Sequence, residues 1–248
     1  MSGRVAVVTG AGSGIGLGIG RHLAADGHAV ALLDLDGDAA RNAAADLSAQ
    51  GCSAIGYEAD VADRSALERV FSSVRQDLGP VTIVVTSAGI ESFDSVLDIT
   101  PEKWDRVLAV NLTGTFASVQ LAVPDMLAAG WGRIVTISSS SAQSGAPNMA
   151  HYVASKGGVI GLTKALAREL AGRGITANTI PPTIVDTPMA RKAEAAGDVP
   201  SVDTMGRMVP LGRAGTPDDI AAACSFLCSE KAGYITGQLI GVNGGMYI

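Results

Sequence analysis

A glycine-rich segment near the N-terminus restricts the fold of this chain more than any other feature. Residues 5–9 form a short apolar run typical of a buried strand, and the segment Gly10–Gly16 that follows contains four glycines. A helical pattern then continues through residues 23–25. A glycine-rich turn between a strand and a helix allows a pyrophosphate group to approach the backbone, where the helix N-terminus offers unpaired N–H groups. The segment therefore predicts the first strand–turn–helix unit of a dinucleotide-binding fold.

The apolar run that follows this unit ends in an aspartate. Residues 29–33 are apolar, and Asp34 comes directly after them, eighteen residues past Gly16. A carboxylate at the end of the second strand of such a fold can accept hydrogen bonds from the ribose diol of adenosine. The alternative is an aspartate in an ordinary turn after a strand, and the glycine-rich segment before it favours the ribose-binding interpretation.

The rest of the chain alternates strand-like and helix-like segments. Strands are predicted at residues 4–9, 28–34, 53–58, 81–86, 132–138, 174–180 and 238–242, and helices at residues 14–26, 38–50, 63–78, 101–128, 151–172 and 217–229. Right-handed crossovers between parallel strands place helices on both faces of a sheet. We therefore predict a single α/β domain over residues 1–248, a Rossmann-like doubly wound parallel β-sheet with helices on both faces. The stretch 183–215 is rich in proline and glycine and predicts a substrate loop with short helices.

Composition and charge argue against several classes of partner. The formal net charge is −6 and no basic run is present, which argues against nucleic-acid binding. The first predicted strand begins at about Val5, which leaves no room for a signal peptide, and we expect no apolar stretch long enough to span a bilayer. Cys52, Cys224 and Cys228 are too few and unsuitably spaced for a metal site or a disulfide framework. We expect a cytoplasmic protein without a bound metal or membrane partner, in which Cys224 and Cys228 are buried.

Tyr152 and Lys156 lie four residues apart in a segment with a helical pattern, so they share one helix face. Tyrosine normally titrates near ~10, and a nearby positive charge favours the phenolate. We expect the lysine, a bound cationic nicotinamide and a dry pocket together to lower the pKa of Tyr152. The tyrosine could then exchange a proton with an alcohol or ketone oxygen, while Ser139, thirteen residues earlier, hydrogen-bonds the same oxygen. The alternative is a surface tyrosine and a solvated lysine that share a helix face by chance.

Five motifs occur together and in order along the chain. They are Thr9-Gly10-x-x-x-Gly14-x-Gly16, Asp60-Val61, Asn111, Ser139 and Tyr152-x-x-x-Lys156. With them the chain resembles the short-chain dehydrogenase/reductase family from Val5 to Gly245. This resemblance implies an oxidoreductase with a nicotinamide cofactor, but it indicates no particular substrate, because one scaffold serves many substrates.

The resemblance implies a role for each of four catalytic residues. Tyr152 is expected to be the acid/base, Lys156 to lower its pKa and bind the nicotinamide ribose, and Ser139 to orient the substrate oxygen. Asn111 is expected to bend the long helix after Trp104 and to hold a water in a proton relay to the lysine; the alternative is that it merely ends a helical turn. Because serines flank Ser139, its assignment rests on the thirteen-residue spacing to Tyr152.

The resemblance also assigns the cofactor-binding residues and, with Asp34, the cofactor. The expected binding residues are Gly10, Ser13, Gly14, Ile15, Gly16, Asp34, Leu35, Asp60, Val61, Ala88, Gly89, Tyr152, Lys156, Pro182, Ile184, Val185 and Thr187. The carboxylate of Asp34 would repel a 2′-phosphate, and relatives that prefer NADP usually carry Arg or Lys where this chain has neutral Ser13 and Leu35. The predicted cofactor is therefore NAD.

Two positions depart from the family pattern. Thr86-Ser87 replaces Asn-Asn after the fourth strand, which puts the usual bridge to a neighbouring strand in doubt. Pro182-Thr183 replaces Pro-Gly after the sixth strand. Since a positive φ is costly for threonine, we expect Thr183 to avoid it and to narrow the substrate pocket.

The candidate substrate-contacting residues are mostly apolar or weakly polar. They are Ser140, Gln143, Met149, Thr183 and Met189, with Glu91 and Val185 as further candidates for the pocket wall. This set, without an arginine cluster, favours a neutral, fairly hydrophobic secondary alcohol or ketone. The alternatives are a 3-oxoacyl-thioester (acyl carrier protein) reductase, which usually prefers NADPH, and, more remotely, a non-catalytic dinucleotide-sensing protein. Family resemblance further implies a homotetramer that pairs helices 101–128 and 151–172 across two-fold axes.

Overall fold

The computed structural model describes residues 3–247 and contains one six-stranded parallel sheet. The strands are β1 (Val5–Thr9), β2 (Ala29–Asp34), β3 (Ala54–Glu58), β4 (Val81–Thr86), β5 (Gly132–Ile137) and β6 (Ile175–Ile180). They lie in the order β3-β2-β1-β4-β5-β6, with β1 paired to both β2 and β4. The strand order therefore reverses at β1, which opens a crevice beyond the carboxyl ends of β1 and β4, where ligands bind in open α/β sheets.

Helices cover both faces of the sheet. They are α1 (Gly14–Ala25), α2 (Gly37–Ala49), α3 (Arg64–Asp77), α4 (Pro101–Leu108), α5 (Gly114–Ala129), α6 (Ser141–Ser144), α7 (Ala150–Leu170), α8 (Pro188–Ala196), α9 (Val202–Met208) and α10 (Pro217–Cys228).

Two apolar layers, one on each face, hold the sheet and helices together. Successive strand side chains point to opposite faces. Val8 of β1 packs in the layer with α1 and α10, whereas Val7 packs in the layer with α3, α5 and α7. The predicted Rossmann-like doubly wound fold is therefore confirmed. Cys224 and Cys228 are buried in the first layer, as predicted.

The predicted strand at residues 238–242 does not form as a regular strand. Only an isolated parallel bridge joins Thr179 to Leu239 in the described part of the chain. Side chains replace part of the backbone ladder, because the N–H of Ala177 donates to the Thr236 hydroxyl (3.1 Å) and that of Gln238 donates to the Asn178 side chain (3.1 Å). The segment thus covers the edge of β6 without a continuous ladder.

The predicted helix 101–128 is a helical run interrupted by a π-helical turn over Ala109–Thr113. We expected no apolar stretch long enough to span a bilayer, and this was wrong. The helical run Pro101–Ala129 is long and apolar enough, with a mean hydropathy of 1.4 over its most apolar window. Half of that window is buried in the protein, which makes it weak evidence for a membrane span. Val110, Val119 and Met126 lie in the second apolar layer, and this burial accounts for the hydropathy.

The loop region 183–215 contains the predicted short helices, α8 and α9. Thr187 caps α8, because its hydroxyl accepts a hydrogen bond from the Ala190 N–H (3.2 Å). Arg191 ties the region together through ion pairs with Asp186 (2.7 Å) and Glu194 (3.1 Å). This region lies across the carboxyl end of the sheet and forms one side of the cavity described next.

Candidate active site

A cavity of about 490 Å³ opens at the carboxyl ends of the strands. One side is formed mainly by residues that follow the six strands, and the other by the loop region 183–215. All of the residues predicted to bind the cofactor line it, and so do Ser139, Thr183 and Met189. The topology therefore brings distant sequence motifs to one place.

The glycine-rich turn at the end of β1 is closely packed. A Cβ atom on Gly10 would lie 2.7 Å from the Ala88 Cα, and one on Gly16 would lie 2.1 Å from the Gly10 carbonyl oxygen. Gly10 also has a φ of +66°, which disfavours other residues. Within residues 3–247, the Ser13 side chain makes no capping hydrogen bond to α1. The first turn of α1 therefore presents its N–H groups toward the cavity, as a phosphate site requires.

Asp34 lies at the end of β2 and fixes the position of this turn. Its carboxylate accepts hydrogen bonds from the N–H groups of Gly12 (2.8 Å) and Asp36 (3.0 Å). Leu35, next to it, is 63% exposed. Asp60 lines the same end of the cavity and forms an ion pair with Arg106 (3.0 Å). Sequence reasoning missed Arg106, since its contact with Asp60 joins positions 46 residues apart.

The departure at Thr86-Ser87 changes which residue makes the link between strands. The Thr9 hydroxyl accepts hydrogen bonds from the N–H groups of Ser87 and Ala88, both at 3.2 Å. The hydroxyl of Thr86 is buried and has no hydrogen-bond partner among the residues that the structure describes. β1 therefore supplies the link to the loop after β4 through its own threonine.

Asn111 lies in the π-helical turn and is fully buried. Its side chain accepts a hydrogen bond from the Ile90 N–H (2.9 Å) and donates to the Ile90 carbonyl (3.0 Å) and the Ser155 hydroxyl (3.1 Å). The helical run continues past it, so Asn111 does not merely end a turn. π-turns within helices often occur at functional sites. Here the turn lets one amide hold both the loop after β4 and helix α7.

The serines after β5 have different environments. The Ser138 hydroxyl donates to the Lys156 carbonyl (2.9 Å), and the Ser140 N–H donates to the Pro182 carbonyl (2.8 Å). The Ser139 hydroxyl instead lies 2.8 Å from the Ser141 hydroxyl and accepts a hydrogen bond from the Ser141 N–H (3.2 Å). Ser139 also lines the cavity, where it lowers the pKa of Tyr152. Among these serines, Ser139 is the one that affects the pKa of Tyr152, and its catalytic role stays a prediction.

Lys156 and Tyr152 lie on the cavity side of α7. The Lys156 Nζ donates to the Ile137 carbonyl (2.9 Å) and lies 5.8 Å from the centre of the Tyr152 ring. Burial lowers the pKa of Lys156 to about 8. A Cβ atom on Gly89 would lie 3.3 Å from both Lys156 Nζ and Asn111 Oδ1, so the absence of a side chain at Gly89 leaves room for both groups.

The expected lowering of the Tyr152 pKa is not produced by the protein alone. Burial, and to a smaller extent the negative charge of Glu91, raises the pKa of Tyr152 to about 12, despite the lowering by Ser139. The prediction treated a dry pocket as favouring the phenolate, which was wrong, because removing water disfavours the charged form of any group.

Three predicted substrate residues do not line the cavity. Ser140 is buried in the link to Pro182, Gln143 is exposed on α6, and Met149 is buried where α7 begins. The short helix α6 starts at Ser141 and carries the chain away from the cavity, so proximity to Ser139 in sequence was misleading. Thr183 and Met189 do line the cavity. The φ of Thr183 is not positive, as expected for a β-branched residue.

Several lining residues were not predicted. Glu91, a predicted wall residue, lines the cavity, and the unpredicted lining residues include Phe93, Arg106, Val110, Val199 and Met205. Val199 and Met205 belong to the loop region 183–215, whose substrate-facing residues could have been proposed from their apolar character. Phe93 gives no such signal, because only the folded path of the loop after β4 brings it to the cavity.

A parallel sheet with a glycine-rich turn at its switch point and a Ser–Tyr–Lys group in the same cavity defines a dinucleotide-dependent oxidoreductase. A family model described as enoyl-(acyl carrier protein) reductase matches residues 10–247. The chain is 39% identical to 2-(S)-hydroxypropyl-CoM dehydrogenase 3 of Xanthobacter autotrophicus, over 99% of this chain and 97% of the relative. It is 38% identical to the 3-oxoacyl-[acyl-carrier-protein] reductase MabA of Mycobacterium bovis, over 98% of this chain and 92% of the relative.

A solved structure agrees with these relatives. The crystal structure of a variant of the actinorhodin polyketide ketoreductase with NADPH superposes with a TM-score of 0.93 at 36% identity, covering 98% of this chain and 97% of that one. The chain belongs to the short-chain dehydrogenase/reductase family. The family resemblance predicted from the motifs is thereby confirmed, as is an oxidoreductase that binds a nicotinamide dinucleotide.

Proposed function

We propose that this protein is a single-domain NAD-dependent oxidoreductase that interconverts a secondary alcohol and a ketone on a neutral, fairly hydrophobic substrate. The observation that carries the proposal is one cavity with the glycine-rich turn and Asp34 at one end and Ser139, Tyr152 and Lys156 at the other. The residues at the first end fit a dinucleotide, since the turn excludes side chains and leaves the N–H groups of α1 available.

The protein's own groups then have separate tasks. When bound, the nicotinamide accepts or supplies the hydride at the carbinol carbon. Tyr152 donates a proton to the ketone oxygen during reduction and accepts it during oxidation, while the Ser139 hydroxyl hydrogen-bonds the same oxygen. Lys156, held on the Ile137 carbonyl, is placed to bind the nicotinamide ribose and to favour the phenolate. Asn111 positions the loop after β4 against α7.

Asp34 supports NAD over NADP. Its carboxylate is fixed by two backbone N–H groups, so it cannot easily turn away from a 2′-phosphate. The neighbouring Leu35 is neutral, and the nearby guanidinium of Arg106 is already paired with Asp60. Among the described residues that line this end of the cavity, no free cation lies beside Asp34. A 2′-phosphate would therefore be repelled by the carboxylate.

The second candidate is a 3-oxoacyl-thioester reductase. The similarity to MabA, which is named for that activity, favours it. Asp34 argues against it, since such reductases usually prefer NADPH. A non-catalytic dinucleotide sensor is the remote third possibility, and the retained Tyr152 and Lys156 argue against it.

Steady-state turnover separates these three candidates. We expect reduction of a neutral hydrophobic ketone such as acetophenone with NADH, at a kcat/KM well above that for acetoacetyl acyl carrier protein. Faster reduction of the thioester with NADPH would favour the second candidate instead. Binding of NADH without turnover of either substrate, or of a panel of secondary alcohols with NAD, would favour the sensor.

The pH dependence of alcohol oxidation follows from the direction of the Tyr152 pKa. Oxidation requires the phenolate, and burial holds the tyrosine in its neutral form, with a pKa raised to about 12 in the protein alone. Bound cationic NAD lowers this value, and kcat/KM for the alcohol should rise with pH across roughly pH 6 to 10, a range that ends at the ordinary pKa of tyrosine. The apparent pKa belongs to the coupled tyrosine–lysine pair. A flat profile, with chemistry shown to be rate-limiting by a deuterium isotope effect, would contradict this role.

We also propose a cytoplasmic homotetramer. Helix α7 supports it weakly, since Cβ atoms added to Gly157 or Gly161 would meet nothing within 4 Å, which leaves space for a second helix. Phe116 of α5 is 44% exposed and could pack across the same interface. Ala117 and Val159 are buried within the protomer, so they do not contribute to such a surface.

A further inference from the structure

Glu91 places a carboxyl group in the substrate end of the cavity. It lines the cavity together with Phe93, Val199 and Met205, so its surroundings there are largely apolar. The other two acidic residues among the described lining, Asp34 and Asp60, belong to the opposite end. Among residues 3–247, no hydrogen bond or ion pair involves the Glu91 carboxyl group.

The backbone next to Glu91 is held firmly. The Asn111 side chain hydrogen-bonds both the N–H (2.9 Å) and the carbonyl (3.0 Å) of Ile90, the residue before it. Gly89, two residues before Glu91, packs close to the Lys156 Nζ. The carboxyl group is therefore carried by a segment that is fixed to the catalytic residues, not by a free loop.

Glu91 lines the same cavity as Tyr152 and Ser139. Its negative charge raises the pKa of Tyr152. Burial and the charge of Asp198, an exposed residue just after α8, raise the pKa of Glu91 itself. A carboxyl group on the wall and a second one at the rim disfavour a substrate with a carboxylate or phosphate at this end.

We propose that Glu91 determines specificity by accepting a hydrogen bond from a hydroxyl or ammonium group of the substrate, separate from the reacting carbonyl. A partly buried acceptor without a protein partner loses hydrogen bonds to water when an apolar substrate covers it. A substrate that carries a donor restores the bond, and sites built this way reject analogues that lack the donor. The inference rests on the proposed ketone–alcohol activity. A hydroxy ketone narrows the neutral substrate proposed above, whereas an amino ketone would replace it with a cationic one.

The test compares ketones of matched size on the full-length enzyme. 4-Hydroxybutan-2-one and pentan-2-one differ by one hydroxyl in place of a methyl group, and 4-(dimethylamino)butan-2-one and 5-methylhexan-2-one form the matched pair for the ammonium donor. We expect the wild type to prefer at least one donor-bearing ketone over its apolar counterpart by about tenfold in kcat/KM. Glu91→Leu should bring that ratio to about one. Asp46→Asn, at an exposed position on α2, is the control for loss of one negative charge and should keep the wild-type ratio.

Glu91→Gln separates the two donors. The amide oxygen still accepts from a hydroxyl, so preference for the hydroxy ketone should survive in part, whereas preference for the ammonium should be lost with the charge. An unchanged ratio in Glu91→Leu, or a wild type without any preference for a donor, would overturn the proposal.

Failure of the proposed activity would be seen separately. If no ketone were reduced with NADH or NADPH, competition by saturation-transfer NMR would compare binding of the same compounds to wild type and Glu91→Leu. If the wild type bound a donor-bearing ketone more tightly than its apolar counterpart and Glu91→Leu did not, the role of Glu91 would be supported. Equal binding to both proteins would refute it.

Discussion

Replacing Tyr152 with phenylalanine is expected to remove nearly all turnover while NADH binding stays measurable. The ring is retained, so the packing in the cavity changes little, and the proton donor is lost. Positioned general acid–base groups contribute about 10²–10⁴-fold, and we expect a loss in kcat of that order. Steady-state kcat for ketone reduction and the fluorescence of bound NADH measure the two properties independently.

The control for this substitution is another tyrosine in the same chain. Tyr234 is fully exposed and does not line the cavity, so Tyr234→Phe should leave kcat unchanged. If Tyr152→Phe kept substantial activity, another group would have to supply the proton. If it lost NADH binding together with turnover, the tyrosine would serve the cofactor site and not the chemistry.

Changing Asp34 and Leu35 together is expected to reverse the cofactor preference. The wild type should use NAD at least about tenfold better than NADP by kcat/KM, and the double variant Asp34→Asn/Leu35→Arg should favour NADP. Asparagine removes the repulsion while its amide oxygen can still accept the Gly12 N–H, and arginine adds a partner for the 2′-phosphate. The combined change in the ratio should be about hundredfold, or roughly 3 kcal/mol.

Leu35 suits this experiment because its side chain is 63% exposed, so an arginine there needs no repacking. Leu35→Gln, with Asp34 retained, is the matched control and should keep the preference for NAD. Equal wild-type efficiency with both cofactors would show that Asp34 does not discriminate between them. The NADPH in the related actinorhodin ketoreductase makes this a demanding test, since NADP use occurs on a closely similar backbone.

Short-range patterns were enough to predict the fold and most of the residues that meet in the cavity. The glycine-rich turn, the apolar runs that became β1 to β6, and the four-residue spacing of Tyr152 and Lys156 all depend on neighbours in sequence. Because the carboxyl ends of parallel strands share one edge of the sheet, residues placed after each strand had to meet there. All of the predicted cofactor-binding residues consequently line one cavity.

What the sequence could not determine depended on contacts between distant segments. The segment 238–242 has a strand pattern, but the Asn178 side chain of β6 and the Thr236 side chain replace part of its pairing with β6, so no regular strand forms. Ser140, Gln143 and Met149 lie near Ser139 in sequence, yet the path of α6 removes them from the cavity. The local sequence determines whether a segment has the periodicity of a helix or a strand. Which other segments it contacts depends on tertiary packing.

The electrostatics of the site were also decided by tertiary structure. Spacing placed Lys156 beside Tyr152, but the sign of the tyrosine pKa shift came from burial and from Glu91, which follows β4 in a different segment. Residue order therefore determined the fold, the family and the residues that meet at the sheet edge. Only the folded chain determined how much water each group loses and which charges face it, because both depend on distances between residues far apart in sequence.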